Sequence, residues 1–99
     1  MHVSLTRRAR LSVLRIAQWW RLNGRHAPAT FEEEFAEALR LLAQTPLVGA
    51  ITRSAGRPNL RRVSLKKSRQ HLYYRIDDAK QVVTVLEVWH HSRGARPKL

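Results

Sequence analysis

Three histidines and a set of cations are the residues best suited to chemistry in this 99-residue chain: His71, His90 and His91, with Arg75, Arg93, Lys66 and Lys67. Imidazole titrates near pH 6.5, so each histidine can take or give a proton at neutral pH. Cleaving RNA through its 2′-OH needs a base for that proton, a cation for the crowded phosphate and an acid for the leaving 5′ oxygen. His71, His90 and His91 suit the proton roles, Arg75, Arg93, Lys66 and Lys67 the cationic one, and Tyr73 can orient. The simpler reading of His71 is a sheet-surface residue. A metal site at His90 and His91 is not expected, because neighbouring strand residues point to opposite faces and the chain has no cysteine. Glu87 sits in an otherwise apolar strand and needs a partner if buried. Arg62, Arg69 and Arg75 are the expected partners, and a general-base role is the lesser alternative. Arg61, Arg62, Lys66, Lys67, Arg93, Arg96 and Lys98 are solvated strand ends or a surface for phosphate or acidic protein.

Charge dominates the composition. Nineteen Lys+Arg against seven Asp+Glu give +12. Such a field attracts polyanions within a Debye length of about 8 Å. It is uneven: residues 1–26 hold six arginines and no acid, residues 46–68 hold four arginines, two lysines and no acid, and residues 28–45 hold four glutamates and one arginine. Hydrophobic residues are 43%, enough for one modest core in a single domain. The absence of cysteine fits a reducing compartment, and no apolar run is long enough to cross a membrane. Arg7, Arg8 and Arg10 before Leu11–Leu14 have the look of a targeting segment, but Arg15 interrupts the run and no small-residue cleavage site follows. The expectation is a cytoplasmic protein that does not engage membranes.

Positioning these residues requires helices first and strands after. Val3 and Leu5 alternate in a short strand at His2–Leu5. Thr6 is a plausible N-cap for a helix over about residues 7–22, with Ala9, Val13, Ile16, Ala17 and Trp20 on one face. Asn23-Gly24 ends it, glycine being favoured where φ turns positive. A second helix runs from Pro28 to Thr45, with Thr30 and Glu33 as a capping box and Phe31, Phe35, Ala38, Leu39 and Leu42 on its apolar face. Pro46 stops it. The period then becomes two: Leu60–Leu65, Gln70–Ile76 and Gln81–Trp89 read as strands, with Val48–Thr52 as a further candidate, residues 53–59 as a loop and residues 77–80 as a turn. The apolar last strand is expected in the sheet centre. The predicted fold is α+β, a helical hairpin packed on one face of a mostly antiparallel three- to four-stranded sheet, with basic side chains on the other face. Leu11, Leu14 and Trp19 point away from the core stripe of the first helix, as Leu41 does on the second. They are ordinary scattered hydrophobes or a surface that another chain covers.

Four stretches carry a family likeness: Thr6–Ala9 with Ile16–Trp20; Phe35–Leu42 ending in Thr45-Pro46, then Gly49; Leu60–Val63 followed by His71–Asp77; and Val85–His90, then Arg93-Gly94 and Pro97. In this order and spacing the chain resembles the RelE/ParE superfamily of bacterial toxins over about residues 3–97. The resemblance implies one toxin domain over 1–99, with 90–99 a basic tail, and no cofactor or metal. It implies a cognate acidic antitoxin in a toxin–antitoxin hetero-oligomer, gripping with a helix that would suit Leu11, Leu14 and Trp19 and with a strand added to a sheet edge. It also implies one of two activities. One branch, ParE-like, inhibits DNA gyrase; Arg62, Arg75, His90, Arg93 and Arg96 would then bind the target. The other, RelE-like, cleaves mRNA on the ribosome without metal; His71, His90, His91, Arg75 and Arg93 would then be catalytic. His71 stands where ribonuclease members often carry arginine. Trp89–Gly94 resembles the His-Gly-x-Arg ending of ParE-like members, with His91 in place of the glycine. The His71 departure and the likeness of this ending favour the gyrase branch, with no catalytic residue, while His91 in place of the glycine counts against it. A basic nucleic-acid-binding protein without toxicity is the remaining alternative.

Overall fold

The computed structural model describes residues 1–54, 57–92 and 97–99. The chain runs β1 (His2–Leu5), α1 (Arg7–Asn23), α2 (Thr30–Gln44), a 3-10 turn (Pro46–Val48), β2 (Ala50–Ser54), β3 (Arg57–Leu65), β4 (Gln70–Asp77) and β5 (Val82–His90). One sheet holds all five strands in the order β1-β5-β4-β3-β2. β1 lies parallel to β5, and every other pairing is antiparallel. This is the expected α+β architecture, with one strand more than the expected maximum. β5 has a neighbour on each side, as its continuous apolar run requires.

The helices begin and end for local reasons. Thr6 caps α1, its hydroxyl accepting from the Ala9 N–H at 3.0 Å. At the other end Gly24 keeps a negative φ of −82°, contrary to expectation. Glycine is needed there for space, since a Cβ would lie 2.6 Å from the Trp20 carbonyl oxygen. The expected capping box of α2 does not form. Ala29 occupies the N-cap, and the Thr30 hydroxyl donates back to the Ala27 carbonyl at 2.8 Å, closing the preceding turn instead. The expected loop over 53–59 is largely strand. Residues 55 and 56 lie outside the described residues. Pro58 is tolerated because β3 pairs with β4 only over Arg61–Leu65, and Asn59 at φ 63° accompanies the irregular register with β2.

The main core lies between the helices and the sheet: Phe31, Phe35, Ala38 and Leu42 of α2 meet Leu72, Tyr74, Val83, Val85 and Val88, with Ala9 and Ala17 from α1. Each fully buried large side chain contributes about 1.5–3 kcal/mol. Two polar clamps fix this packing. The Tyr74 hydroxyl donates to the Pro46 carbonyl at 2.6 Å and accepts the Gly49 N–H at 2.8 Å. A Cβ on Gly49 would sit 2.6 Å from that oxygen, so only glycine fits. Burial pushes the Tyr74 phenol above its usual range. Glu34 of α2 accepts from the N–H groups of Lys67 and Ser68 and from the Ser68 hydroxyl, holding the β3–β4 turn.

The opposite face of the sheet is open to solvent in part. Strand alternation puts Arg62, Ser64, His71, Tyr73 and Arg75 there. It is less purely basic than expected, because Leu60, Tyr73 and Leu86 form a second buried cluster against which Trp89 and Leu99 pack.

Candidate functional site

The register of β4 and β5 decides which histidines meet. Tyr73 pairs with Glu87 and Tyr74 with Val85, so Leu86 is an inserted residue at a β-bulge. Beyond it, His71 pairs with Trp89 and Gln70 with His90. His71 therefore lies on the open face, and the chain turning past β5 lays His91 on it. The two imidazoles stack with centroids 3.8 Å apart at 25°. Hydrogen bonds hold the pair: His71 Nδ1 is 3.3 Å from the Ser64 hydroxyl, and His91 Nε2 is 3.0 Å from the Gln70 carbonyl. Burial first, then the nearby His91 and Arg62, lower the His71 pKa to about 4. The His71 ring is thus neutral at pH 7, able to accept a proton but a weak base.

His90 does not join this pair. It faces the helix side, where its Nδ1 accepts from the backbone N–H of Ser92 at 3.0 Å and lies 2.6 Å from the Ser92 hydroxyl. Arg62 is half-buried beside His71, and Arg75 is exposed on the same face. Arg75 is four residues along β4 from His71, ~13 Å by strand rise. The expected site residues Arg93 and Arg96 lie outside the described residues. Among the described residues no group of three or more His, Cys, Asp or Glu is arranged to hold a metal ion, and no helix is long and apolar enough to cross a membrane.

Glu87 is buried at 3% exposure, but its partner is none of the three expected arginines. Arg8 of α1 donates from Nε at 2.7 Å. The second carboxylate oxygen accepts the Val88 N–H at 2.9 Å. The cause is the short length of β1. It stops at Leu5, and Thr6 then bonds the Val85 and Leu86 carbonyls, which brings the first turn of α1 over the uncovered edge of β5. Arg8 also donates to the Lys98 carbonyl, tying the chain end to the same place. A pair separated by 79 residues leaves no local signal in the sequence.

The expected partner-facing residues of α1 are exposed: Leu11 at 49%, Leu14 at 61% and Trp19 at 57%, joined by Leu22 at 77%. Trp19 has a further setting that sequence reading missed. Ser12, Arg15, Ile16 and Trp19, spaced i, i+3, i+4, i+7, form one wall of a groove of about 700 Å³ between α1 and the joined ends of β4 and β5. Trp20, Gln70, Val88 and Trp89 complete its lining, and Arg15, Lys67, Arg69 and His90 add its polar and cationic groups. Trp19 and Trp20 stand in this groove, whereas Trp89 only borders it and packs against the Leu60, Tyr73 and Leu86 cluster of the open face. Trp19 meets Trp20 edge-to-face at 5.6 Å. A second run of exposed apolar residues, Leu47, Val48 and Ile51, lies in the 3-10 turn and the outer strand β2, and Leu41 is exposed on α2. Arg61 stiffens that region by donating to the Gly49 and Leu47 carbonyls.

Comparison with known proteins agrees with this geometry. Residues 3–94 match the family model described as the ParE toxin of the type II toxin–antitoxin system parDE. Among solved structures, the chain is similar to one from the chromosomal ParDE toxin–antitoxin system of P. aeruginosa, with TM-score 0.70, 19% identity, and coverage of 91% of this chain and 95% of that one. It is similar to a chain of the E. coli RelBE toxin–antitoxin complex, with TM-score 0.63, 24% identity and coverage of 93% and 98%. It is also similar to one in the M. tuberculosis RelBE2 complex, with TM-score 0.56, 28% identity and coverage of 90% and 95%. No curated protein matches. At identities below 25% the first two likenesses establish the shared fold alone.

Proposed function

Because this chain belongs to the ParE toxin family of type II toxin–antitoxin systems, we propose that it arrests bacterial growth by binding DNA gyrase and that a cognate acidic antitoxin neutralises it. The observation that carries the gyrase reading is the match to the ParE model over nearly the whole chain. The open face supports it: Arg62 and Arg75 supply positive charge there, and the one buried carboxylate, Glu87, is neutralised by Arg8. The antitoxin would lie along α1, its apolar residues on Leu11, Leu14, Leu22 and Trp19, its acids toward Arg15 and the other cations of the groove. Apolar surface of this extent beside a +12 field suits an acidic amphipathic helix better than a second copy of the chain, which would bring like charge. The test is a supercoiling assay with purified gyrase. Inhibition by the wild-type chain, weakened by Arg62→Glu with Arg75→Glu, is expected. Undiminished supercoiling at saturating chain would refute the gyrase reading.

One observation favours the second reading, a ribosome-dependent mRNA endonuclease. The stacked His71 and His91 set a neutral imidazole beside a second one and beside Arg62. That arrangement has the residue types for 2′-OH activation and phosphate stabilisation. Replacing His71, His90 and His91 together would abolish toxicity under this reading and leave it largely intact under the gyrase reading.

A further inference from the structure

Three fixed positive charges meet in the groove beside α1 with no carboxylate to answer them. Arg15 of α1 and Lys67 and Arg69 of the β3–β4 turn line it, and no Asp or Glu does. Among the described residues the ion pairs are Arg8–Glu87 and Arg21–Glu32, so none of the three cations is used in one. Glu34, which touches the same turn, is occupied by the N–H groups of Lys67 and Ser68 and by the Ser68 hydroxyl. Arg15 donates one bond to the Ser12 hydroxyl at 3.2 Å and keeps the rest of its donors. His90 adds another donor, because its Nδ1 accepts the Ser92 N–H and Nε2 then carries the ring proton. Arg69 has a further peculiarity. Its φ is 58°, a left-handed conformation that glycine adopts freely and a long side chain rarely does. An arginine standing where glycine would be less strained points to a use for its side chain. The rest of the groove is aromatic and apolar: Trp19 and Trp20 meet edge-to-face at 5.6 Å beside Ile16 and Val88, and Trp19 is half-exposed.

We propose that this groove binds a mononucleotide, with its base against Trp19 and Trp20 and its phosphate on Arg15, Lys67 and Arg69. The volume of about 700 Å³ lies within the roughly 300–1,000 Å³ of small-molecule pockets. Indole faces stack on any nucleobase, because every base has a π-face. Three cations suit the several oxygens of a phosphate, and guanidinium groups match its geometry with paired N–H donors. A purely anionic ligand would leave the indoles unused, and a purely aromatic one would leave the cations unanswered. A nucleotide carries both chemistries in one molecule of suitable size. The inference stands apart from the toxin reading. If an antitoxin lies along α1 as proposed above, the two ligands share Trp19 and Arg15 and exclude each other.

The test uses the whole ¹⁵N-labelled chain at physiological salt, which screens the general +12 field. The indole N–H signals in a ¹H–¹⁵N spectrum, assigned by single Trp→Phe variants, separate two locations: Trp19 and Trp20 report on the groove, and Trp89 on the open face. Adenosine monophosphate, adenosine and ribose 5-phosphate serve as probes. Adenosine monophosphate is expected to shift Trp19 and Trp20 and to bind about tenfold or more tighter than either half, since stacking and charged hydrogen bonds are each worth that much. Arg69→Gly relieves the positive φ, so it should fold at least as stably as the wild type and weaken adenosine monophosphate about fivefold or more. Equal binding of ribose 5-phosphate would reduce the effect to surface charge, and equal binding of adenosine would leave the cations without a role. Either result would overturn the proposal. So would shifts confined to Trp89, no shift at millimolar concentration, or undiminished binding by a folded Arg69→Gly. Failure here leaves the gyrase and antitoxin readings standing, because neither invokes a nucleotide in the groove. The antitoxin reading fails separately, if Leu14→Asp and Trp19→Ala leave neutralisation by the antitoxin unchanged.

Discussion

The groove beside α1 and the open face of the sheet share the ends of β4 and β5 but differ in chemistry. The groove is lined largely by tryptophan and aliphatic side chains, with its cations among them. The open face carries Arg62, His71 and Arg75 in alternation with core residues, over a small cluster of Leu60, Tyr73 and Leu86. Apolar area with charged surroundings favours a protein helix, whereas spaced cations on a flat sheet favour a broad anionic surface. The β-bulge at Leu86 and the end of β5 keep the two apart: His90 goes to the groove and His91 to the open face, although they are adjacent in sequence. On the reading proposed above, an antitoxin would grip one surface while the other meets the target.

The sharpest break of this comparison is energetic. Leu72 is fully buried on the covered face of β4, and Leu72→Ala should cost about 2–5 kcal/mol in denaturant unfolding. Arg75→Ala, three residues on but on the open face, should stay within about 0.5 kcal/mol. A large loss from Arg75→Ala would mean that the open face is part of the core. Arg8→Ala is expected next in size, at about 1–3 kcal/mol, because it strands the buried Glu87 carboxylate; the half-exposed arginine keeps the loss below that of a fully buried pair. Adding Glu87→Gln should recover part of that loss.

Trp19→Ala should lower antitoxin affinity about tenfold or more while changing stability by less than about 1 kcal/mol. Calorimetric titration with the antitoxin and thermal unfolding of the free chain separate the two effects. A stability loss above about 3 kcal/mol would make Trp19 a core residue. The smallest expected effect is in pH. Folding lowers the His71 pKa from 6.5 to about 4, so the unfolded chain binds more protons between these values. The His71 contribution to stability is then complete above about pH 6.5 and falls as the pH drops toward 4. His71→Asn should flatten that part of the urea-midpoint profile.

The elements that periodicity controls were legible in the residues: both helices, the Thr6 cap, the interior (though not central) position of β5 and the apolar face of Phe31, Phe35, Ala38 and Leu42. What was not legible depends on long-range geometry. The β-bulge at Leu86 and the shortness of β1 carry Arg8 to Glu87, and no strand-local pattern encodes either. The Thr30–Glu33 spacing met the rule for a capping box, yet the Thr30 hydroxyl found the Ala27 carbonyl first. Part of the groove was visible as the outward Trp19. Its floor was not, because Gln70 and Val88 arrive from strands some fifty or more residues later. His90 and His91 were expected to diverge by strand alternation, and they do. That His91 would stack on His71 required the sheet register.

The central claim is that the chain stops growth by acting on gyrase and not through imidazole chemistry on RNA. Pulse-labelling of thymidine and methionine in one bacterial culture after induction tests it most directly, with the wild-type chain beside the His71→Ala, His90→Ala, His91→Ala triple variant. The account predicts that thymidine incorporation falls first with both. Methionine incorporation falling first, and recovering in the triple variant, would contradict it.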